Sequence, residues 1–316
     1  MTNRETADFF RQHDNYLIIN HRRPDGDAVG SAAALCLGLR AMGKTAAVWK
    51  NPETTDRYRP YVAGLETEQV PEGAVLVSVD LATEGLLPQN GKAFAGKIEL
   101  SIDHHMSNSG YAGKTNMQSQ CAACGELLLE ILRELGPITV EMANALYLAI
   151  STDTGCFQYS NVTGNTLRAA AELKDLGADT YSINKVMFGT KSIARLRLEA
   201  ALTESAEFYA GGLVCVCCLS RALMDRLGAD EDDADDIAGF PRDIQGVQIG
   251  VMIRELSEGG AKISLRTAGD AYNASDICAV LGGGGHRAAA GAQDDEGMDS
   301  AKRRILEAIA RQGVEL

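Results

Sequence analysis

The chain contains 316 residues, 45% of them hydrophobic and 23% charged, so it has globular composition and is long enough for two domains. It carries 43 acidic and 30 basic residues, for a formal net charge of −13. Such an acidic chain is a poor candidate for gripping a long nucleic acid along its surface, because that binding needs clustered Lys and Arg. A short nucleotide could still bind in a locally basic pocket.

The first ten residues lack the apolar core of a signal peptide, and no run approaches the roughly 20 apolar residues that span a bilayer. We therefore expect a cytoplasmic protein. Most of the eight cysteines lie in apolar runs such as 213–218. The pair Cys121 and Cys124 is not followed by a second pair at zinc-finger spacing. These patterns predict reduced structural thiols.

Short apolar segments alternate with longer helical patterns between residues 16 and 153. The predicted strands are 17–19, 46–48, 75–79 and 98–102, and the predicted helices are 28–42, 121–135 and 139–150. This alternation predicts an α/β fold with a mostly parallel sheet flanked by helices. In such sheets, functional side chains gather at the carboxyl ends of the strands.

The order of predicted helices and strands changes in the second half of the chain. Helices are predicted within 163–205, followed by strands at 207–209, 213–218, 245–255 and 262–266 and helices at 220–227 and 300–311. We predict a first domain over 1–186, a helical linker over 187–204 and a smaller α/β domain over 205–316. The acidic run 230–236 is predicted to be a solvated loop or helix start, with a metal site as the alternative.

Several side chains that can bind metals follow the predicted strand 17–19. His21 comes first, and Asp25 and Asp27 flank Gly26, so a tight turn could direct both carboxylates into one small volume. The alternative is an ordinary surface turn, for which Pro-Asp-Gly-Asp is also typical.

Three more segments repeat this arrangement. Asp80 follows strand 75–79, Asp103, His104 and His105 follow strand 98–102, and Asp153 follows the apolar stretch 145–150. A single aspartate at such a place is typical of a helix cap. Three of the chain's five histidines, however, fall at strand ends.

The charges of these residues indicate a cation-binding site. Asp25, Asp27, Asp80 and Asp153 would bring four negative charges into one cleft, where they would repel one another unless cations were bound. Two divalent ions would balance them. Mixed carboxylate and imidazole ligands suit Mn²⁺, with Mg²⁺ or another transition ion as alternatives. Such a pair can activate water for attack on phosphorus, so we predict metal-dependent phosphoester hydrolysis.

The segments His21-x-x-x-Asp25-x-Asp27, Asp80, Asp103-His104-His105 and Asp153-Thr154-Gly155 resemble, in order, the four motifs of the DHH phosphoesterases. The later segment 282–291, Gly-Gly-Gly-Gly-His-Arg-Ala-Ala-Ala-Gly, resembles the glycine-rich loop of the accompanying DHHA1 domain. The resemblance implies a mostly parallel DHH domain joined to a smaller α/β domain with a mixed sheet.

The resemblance also implies roles for individual residues. His21 and Asp25 would hold one metal, Asp27, His104 and Asp153 would hold the other, and Asp80 would bridge them. Asp103 would orient the histidines, and His105 would contact the phosphate or help to protonate the leaving oxygen. In the second domain, the substrate-binding residues would be Arg266, Gly283, Gly284, Gly285 and His286.

The chain looks most similar to bacterial members of the family that hydrolyse short single-stranded oligonucleotides to 5′-mononucleotides and 3′-phosphoadenosine 5′-phosphate (PAP) to AMP. A substrate held between the domains would exclude long duplexes, no membrane partner is expected, and a homodimer is compatible with the resemblance. The alternatives are a cyclic- or linear-dinucleotide phosphodiesterase, a manganese-dependent inorganic pyrophosphatase and a non-catalytic nucleotide-binding module.

Overall fold

A computed structural model describes residues 1–234, 237–257, 259–269 and 271–316 of the chain. It separates into two compact units, Met1–Thr190 and Lys191–Leu316. The last two residues of the acidic run, Asp235 and Asp236, lie outside the described residues. Within the described ranges, no helix combines the length and the apolar character that a membrane crossing requires.

The first unit contains a six-stranded sheet in the order β3-β2-β1-β4-β5-β6, in which all strand pairs are parallel. Its helices and strands, in chain order, are α1 (Asn3–Gln12), β1 (Tyr16–Ile19), α2 (Gly26–Ala41), β2 (Ala46–Trp49), α3 (Arg59–Val62), β3 (Glu66–Thr67), β4 (Val75–Val79), β5 (Leu100–Asp103), β6 (Lys114–Met117), α4 (Cys124–Leu135), α5 (Val140–Asp153), α6 (Gly164–Asp175) and α7 (Thr180–Asn184). The predicted parallel α/β fold is confirmed.

The central strands β1, β4 and β5 are buried along their whole length. Burial on both faces is why these strands are continuous apolar runs without polar alternation. The strand order reverses between β1 and β4. The connections on either side of such a reversal leave the sheet in opposite directions, so a crevice opens at the carboxyl ends of these two strands.

Glycines let the helices on one face of the sheet approach closely. A Cβ atom on Gly30 of α2 would lie 2.3 Å from the carbonyl oxygen of Ala145 in α5, and one on Gly26 would lie 2.4 Å from the hydroxyl of Thr152. On α4, a Cβ atom at Gly125 would lie 2.5 Å from the Cβ of Ala149. Close packing therefore fixes the start of α2 beside the end of α5.

The second unit contains a mixed sheet in the order β11-β12-β10-β9-β8-β7. Its elements are α8 (Ile193–Glu204), β7 (Glu207–Tyr209), β8 (Val214–Leu219), α9 (Arg221–Leu227), β9 (Ile249–Glu255), β10 (Ala261–Thr267), α10 (Ala274–Ala279), β11 (Gly284–Gly285), β12 (Ala289–Asp294) and α11 (Met298–Ala310). Strands β8 and β9 pair in parallel and the other pairs are antiparallel, which confirms the mixed sheet.

Two features of the second unit bear on the sequence predictions. Helix α8, which lies in the stretch predicted as a linker, clusters with this unit. The apolar strand β8 buries Cys215 and Cys217, and the structure pairs none of the eight cysteines in a disulfide; their reduced state stays a prediction.

The packing of α2 on α5 gives a stability prediction. Gly30→Ala should lower the free energy of unfolding by about 1–3 kcal/mol, because the added methyl would meet backbone atoms that cannot move aside. This cost exceeds the roughly 0.5–1 kcal/mol that alanine gains over glycine in a helix. Denaturant unfolding of both proteins measures the difference.

Gly85→Ala is the matched control, since an added Cβ there has one neighbour within 4 Å, the Thr83 hydroxyl at 3.5 Å. Equal midpoints for Gly30→Ala and Gly85→Ala would contradict the packing argument.

Candidate metal centre

The predicted acids and imidazoles of the first unit gather where the strands of the parallel sheet end. His21 follows β1, Asp80 comes directly after β4, and Asp103 is the last residue of β5. The helices supply the rest: Asp25 caps the amino terminus of α2 by accepting the Ala28 N–H at 3.0 Å, Asp27 lies in the first turn of α2, and Asp153 ends α5.

The side chains form groups with the composition of metal sites. Three groups each offer one ligand atom per residue within 4.8 Å of the others: His21, Asp25 and Asp80; Asp27, His104 and Asp153; and Asp80, His104 and His105. The first two groups divide the residues as the family resemblance implies.

The carboxylate of Asp80 lies between the rings of His21 and His104. Its Oδ2 is 3.6 Å from Nε2 of His21, and its Oδ1 is 3.5 Å from Nε2 of His104. His21 Nε2 is also 3.8 Å from Asp25 Oδ1, while His104 Nε2 is 3.7 Å from Asp27 Oδ2 and 3.5 Å from Asp153 Oδ2. Each oxygen of one carboxylate thus faces a different group.

The Asp80 carboxylate is almost fully buried, with 2% of its surface exposed. Its Oδ1 is buried and makes no hydrogen bond to any described residue. His104 Nε2 and His105 Nδ1 each lie 3.5 Å from this oxygen. A buried carboxylate oxygen without a hydrogen bond is nevertheless costly, and a cation would remove that cost. Asp80 also adopts a left-handed backbone conformation with φ of 53°, a strained state that is common at functional sites.

Hydrogen bonds set which nitrogen each histidine presents. His21 Nδ1 contacts the Arg22 carbonyl oxygen at 2.8 Å, and His104 Nδ1 contacts the Cys121 carbonyl oxygen at 3.2 Å. A carbonyl can only accept, so Nδ1 carries the hydrogen in both rings. Each Nε2 therefore faces carboxylate oxygens and must hold either a proton or a metal ion.

Without a metal, the cluster holds protons. Burial disfavours the charged form of His104, but contact with Asp80 and the charges of Asp80, Asp27 and Asp153 outweigh it and raise the pKa to about 11. Burial and the charges of Asp25 and Asp80 raise the pKa of Asp153 to about 7, although His104 acts in the opposite direction. Contacts with His104 and His21 hold the pKa of Asp80 well below its usual range despite its burial.

Asp27 also has a structural task that its sequence neighbours do not reveal. Its Oδ2 accepts the N–H of Cys124 at 2.6 Å, and its Oδ1 accepts the N–H of Gly125 at 2.9 Å and the hydroxyl of Ser31 at 3.0 Å. The amino terminus of α4 begins after Ala123, which has no capping side chain, so Asp27 caps α4 from α2. One carboxylate joins two helices and the candidate metal centre.

Asp103 lies behind the cluster and is fully buried. Its Oδ1 accepts the N–H groups of His104 and His105 at 2.8 and 3.2 Å and contacts Nδ1 of His105 at 2.8 Å. Asp103 thus orients the His105 ring, whereas the Cys121 carbonyl orients the His104 ring. Asn161 was not foreseen: its Nδ2 donates to the carbonyls of Asp153 and Ala122 and links the end of α5 to the segment before α4.

The predicted substrate-binding residues form a separate group in the second unit. Arg266 lies on β10 opposite Ala289 of β12, and the glycine-rich loop forms β11, which pairs with β12. His286 and Ala289 exchange backbone hydrogen bonds of 2.8 and 3.2 Å and close a tight hairpin. His286 is exposed and Arg266 half-buried.

The glycines of this loop have different surroundings. The Gly283 N–H donates to the Cys278 carbonyl at 2.9 Å, and a Cβ atom there would lie 2.1 Å from the Gly291 carbonyl oxygen. In an antiparallel pair of strands, hydrogen-bonded and non-hydrogen-bonded residue pairs alternate. His286 and Ala289 form a hydrogen-bonded pair, so Gly285 and Ala290 form a non-hydrogen-bonded pair and Gly284 and Gly291 the next hydrogen-bonded one. The N–H of Gly285 therefore points away from β12, towards the sheet edge.

With this geometry established, comparison with known proteins places the chain in a family. The profile of the "DHH family, N-terminal domain" matches residues 15–150, and that of the "DHHA1 domain" matches residues 212–312. The bifunctional oligoribonuclease and PAP phosphatase NrnA of Thermus thermophilus is 33% identical over 297 residues, covering 92% of this chain and 88% of that protein. The chain therefore belongs to the DHH family of phosphoesterases, with a DHH domain followed by a DHHA1 domain.

Two more distant relatives complete the comparison. The cyclic-di-AMP phosphodiesterase GdpP of Geobacillus thermodenitrificans is 26% identical over 94% of this chain, which spans 47% of that protein. The crystal structure of an exopolyphosphatase-related protein from Bacteroides fragilis has a TM-score of 0.82 at 24% identity and covers 98% of this chain and 95% of its own. The structural match shows the fold.

The protons held by the cluster give a prediction. We expect binding of Mn²⁺ or Mg²⁺ to release protons at pH 7, because His104, with a pKa of about 11, must lose its proton before Nε2 can act as a ligand. Affinity should rise with pH around the Asp153 pKa of about 7, by up to about tenfold per pH unit for each proton released.

Calorimetric titration in two buffers of different ionisation enthalpy measures the released protons. Identical heats in both buffers, or an affinity that does not change with pH, would count against this description of the cluster.

Proposed function

We propose that this chain hydrolyses short oligoribonucleotides to 5′-mononucleotides and removes the 3′-phosphate of PAP. The observation that carries the proposal is the Asp80 carboxylate, whose two oxygens face two separate groups of acids and imidazoles. The substrates are those of the Thermus thermophilus relative, an oligoribonuclease and PAP phosphatase whose similarity extends over 92% of this chain.

The donor set fits two divalent cations, with Mn²⁺ as the first candidate because imidazoles and carboxylates contribute together. His21 and Asp25 would hold one ion. The other ion would be held by Asp27, His104 and Asp153, and Asp80 would contact both ions. Ions bound there would activate a water and neutralise the phosphate oxygens. The fixed Nδ1–H groups of His21 and His104 keep each Nε2 directed into the site, and Asp27 and Asp80 bring the required negative charge.

His105 is proposed to act on the substrate. Its Nδ1 is held by Asp103, so Nε2, on the opposite side of the ring, is the atom that would contact the phosphate or give a proton to the leaving oxygen. Asp103 is proposed to orient this ring without itself touching the substrate.

In the second unit, Arg266 and His286 are proposed to bind an anionic or polar part of the nucleotide, since a guanidinium can grip phosphate in bidentate fashion. Gly285 could add its N–H at the sheet edge. A Cβ atom on Gly283 would meet the Gly291 carbonyl oxygen, which favours a structural role for that glycine. A Cβ atom on Gly284 would have no neighbour within 4 Å, but the backbone of Gly284 is engaged in the pairing with Gly291.

The similarity to GdpP favours a second candidate, hydrolysis of linear or cyclic dinucleotides, at the same residues. Three further properties stay predictions: weak affinity for long nucleic acid duplexes, assembly into a homodimer and location in the cytoplasm.

The function is tested with three compounds: pyrophosphate, PAP and a 5′-labelled RNA trimer, each supplied with Mn²⁺. We expect the protein to release phosphate from PAP and mononucleotide from the trimer. Asp80→Asn should lower turnover by more than about 100-fold, because loss of a residue behind a metal ligand already costs about 10–100-fold. The exposed Asp175→Asn, in α6, is the matched control and should keep full activity.

Activity on pyrophosphate alone would support the pyrophosphatase alternative. A folded wild-type protein that turned over none of the three compounds would support the non-catalytic module, and a fully active Asp80→Asn variant would contradict the bridging role.

The role of Arg266 is tested separately. Arg266→Ala should raise KM for PAP with a smaller effect on kcat, lowering kcat/KM about 10–100-fold, the loss expected for a charge-assisted contact worth about 1.5–3 kcal/mol. Metal affinity should not change, because the residue lies in the other unit. Lys262→Ala removes a cation from the same strand and is the control. An unchanged kcat/KM for Arg266→Ala would remove Arg266 from the binding site.

A further inference from the structure

A polar network lies behind the Asp103–His105 pair. Asp103 Oδ1 accepts three hydrogen bonds from His104 and His105, and its Oδ2 accepts the Nδ2–H of Asn108 at 2.7 Å. All four donors are N–H groups, and both carboxylate oxygens of Asp103 therefore act as acceptors. The Asn108 contact is the only one of the four from outside the Asp103–His105 segment.

Asn108 is itself held in one orientation. Its backbone N–H donates to the His105 carbonyl at 3.0 Å, and its side-chain Oδ1 accepts the N–H of Gly110 at 2.9 Å. Because Oδ1 already serves as an acceptor, Nδ2 is the atom directed at Asp103. The amide orientation thus follows from its partners, and Asn108 restrains rotation of the carboxylate that holds the His105 ring.

We propose that Asn108 is a positioning residue, which acts on the reaction through Asp103 and His105. Its amide holds Asp103 Oδ2, so that Oδ1 remains aligned with His105 Nδ1 and the ring keeps Nε2 on the side opposite Asp103. The kinetic part of this inference rests on the proposed function. The structural part, which concerns the orientation and tautomer of the His105 ring, is independent of the proposed function.

Substitution at Asn108 should therefore affect turnover more than binding. Asn108→Ala leaves Asp103 its bonds to the histidine segment but removes the restraint on Oδ2. We expect kcat on PAP and the RNA trimer to fall about 10–100-fold, as for other residues that orient a functional histidine, with KM and metal affinity changed by less than about threefold.

A double-mutant cycle with His105→Ala distinguishes positioning from a general structural effect. If Asn108 acts through His105, adding Asn108→Ala to His105→Ala should lower kcat by less than about twofold further, since the oriented group is already absent. Multiplicative losses would overturn the proposal, as would an unchanged kcat in the single variant.

Tyr111→Phe is the control for disturbance of this segment. The Tyr111 hydroxyl bonds to the Ser78 and Ser101 hydroxyls and the Leu81 carbonyl, but not to Asp103. We expect its kcat to stay within about threefold of wild type. A loss equal to that of Asn108→Ala would mean that any weakening of the segment suffices, which contradicts a specific role for Asn108.

A spectroscopic measurement decides the structural part without turnover. In the Mg²⁺-loaded protein, imidazole ¹⁵N chemical shifts should show His105 with the hydrogen on Nδ1, and Asn108→Ala should shift this ring towards a mixture of tautomers while His21 and His104 stay unchanged. An unchanged His105 spectrum in Asn108→Ala would overturn the proposal. If wild type were inactive on every substrate, the proposed function would fail while this spectrum would still decide the role of Asn108.

Discussion

The repulsion among aspartates at the carboxyl ends of β1 and β4 constrains the rest of the first domain. Asp27 and Asp80 are almost fully buried, and Asp153 lies beside them, so the fold brings together negative charges that water cannot solvate. In the absence of metal, bound protons reduce this repulsion, because the pKa values of His104 and of the Asp153 carboxyl group are raised. Cations can replace those protons, and this exchange links the architecture of the crevice to its proposed chemistry.

The surrounding structure keeps these charges together. Close approach at Gly26 and Gly30 sets the start of α2 against α5, so that Asp27 and Asp153 lie close together although they are far apart in the sequence. Asp27 caps α4, and the segment before α4 supplies the carbonyl that orients His104. Displacing α2 would therefore separate Asp27 both from Asp153 and from the amino terminus of α4.

The sequence predicted the parts of this site that depend on local pattern. Buried strands are apolar runs, so the positions of Asp80 and Asp103 at strand ends followed from reading where each run stops. The contacts of Asp27 with Cys124 and of Asn108 with Asp103 could not be predicted, because they depend on how separate segments pack. Strand β12 was missed for a related reason: its Ala- and Gly-rich sequence has little strand propensity, and its extended form is set by pairing with β10.

The proposed chemistry requires that one buried carboxylate, that of Asp80, serves two cations. The most direct test is a crystal structure of the protein grown with Mn²⁺, with anomalous scattering collected at the manganese edge. We expect two anomalous peaks per chain on either side of Asp80, one beside His21 and Asp25 and one beside Asp27, His104 and Asp153. A single peak, or manganese bound away from Asp80, would contradict it.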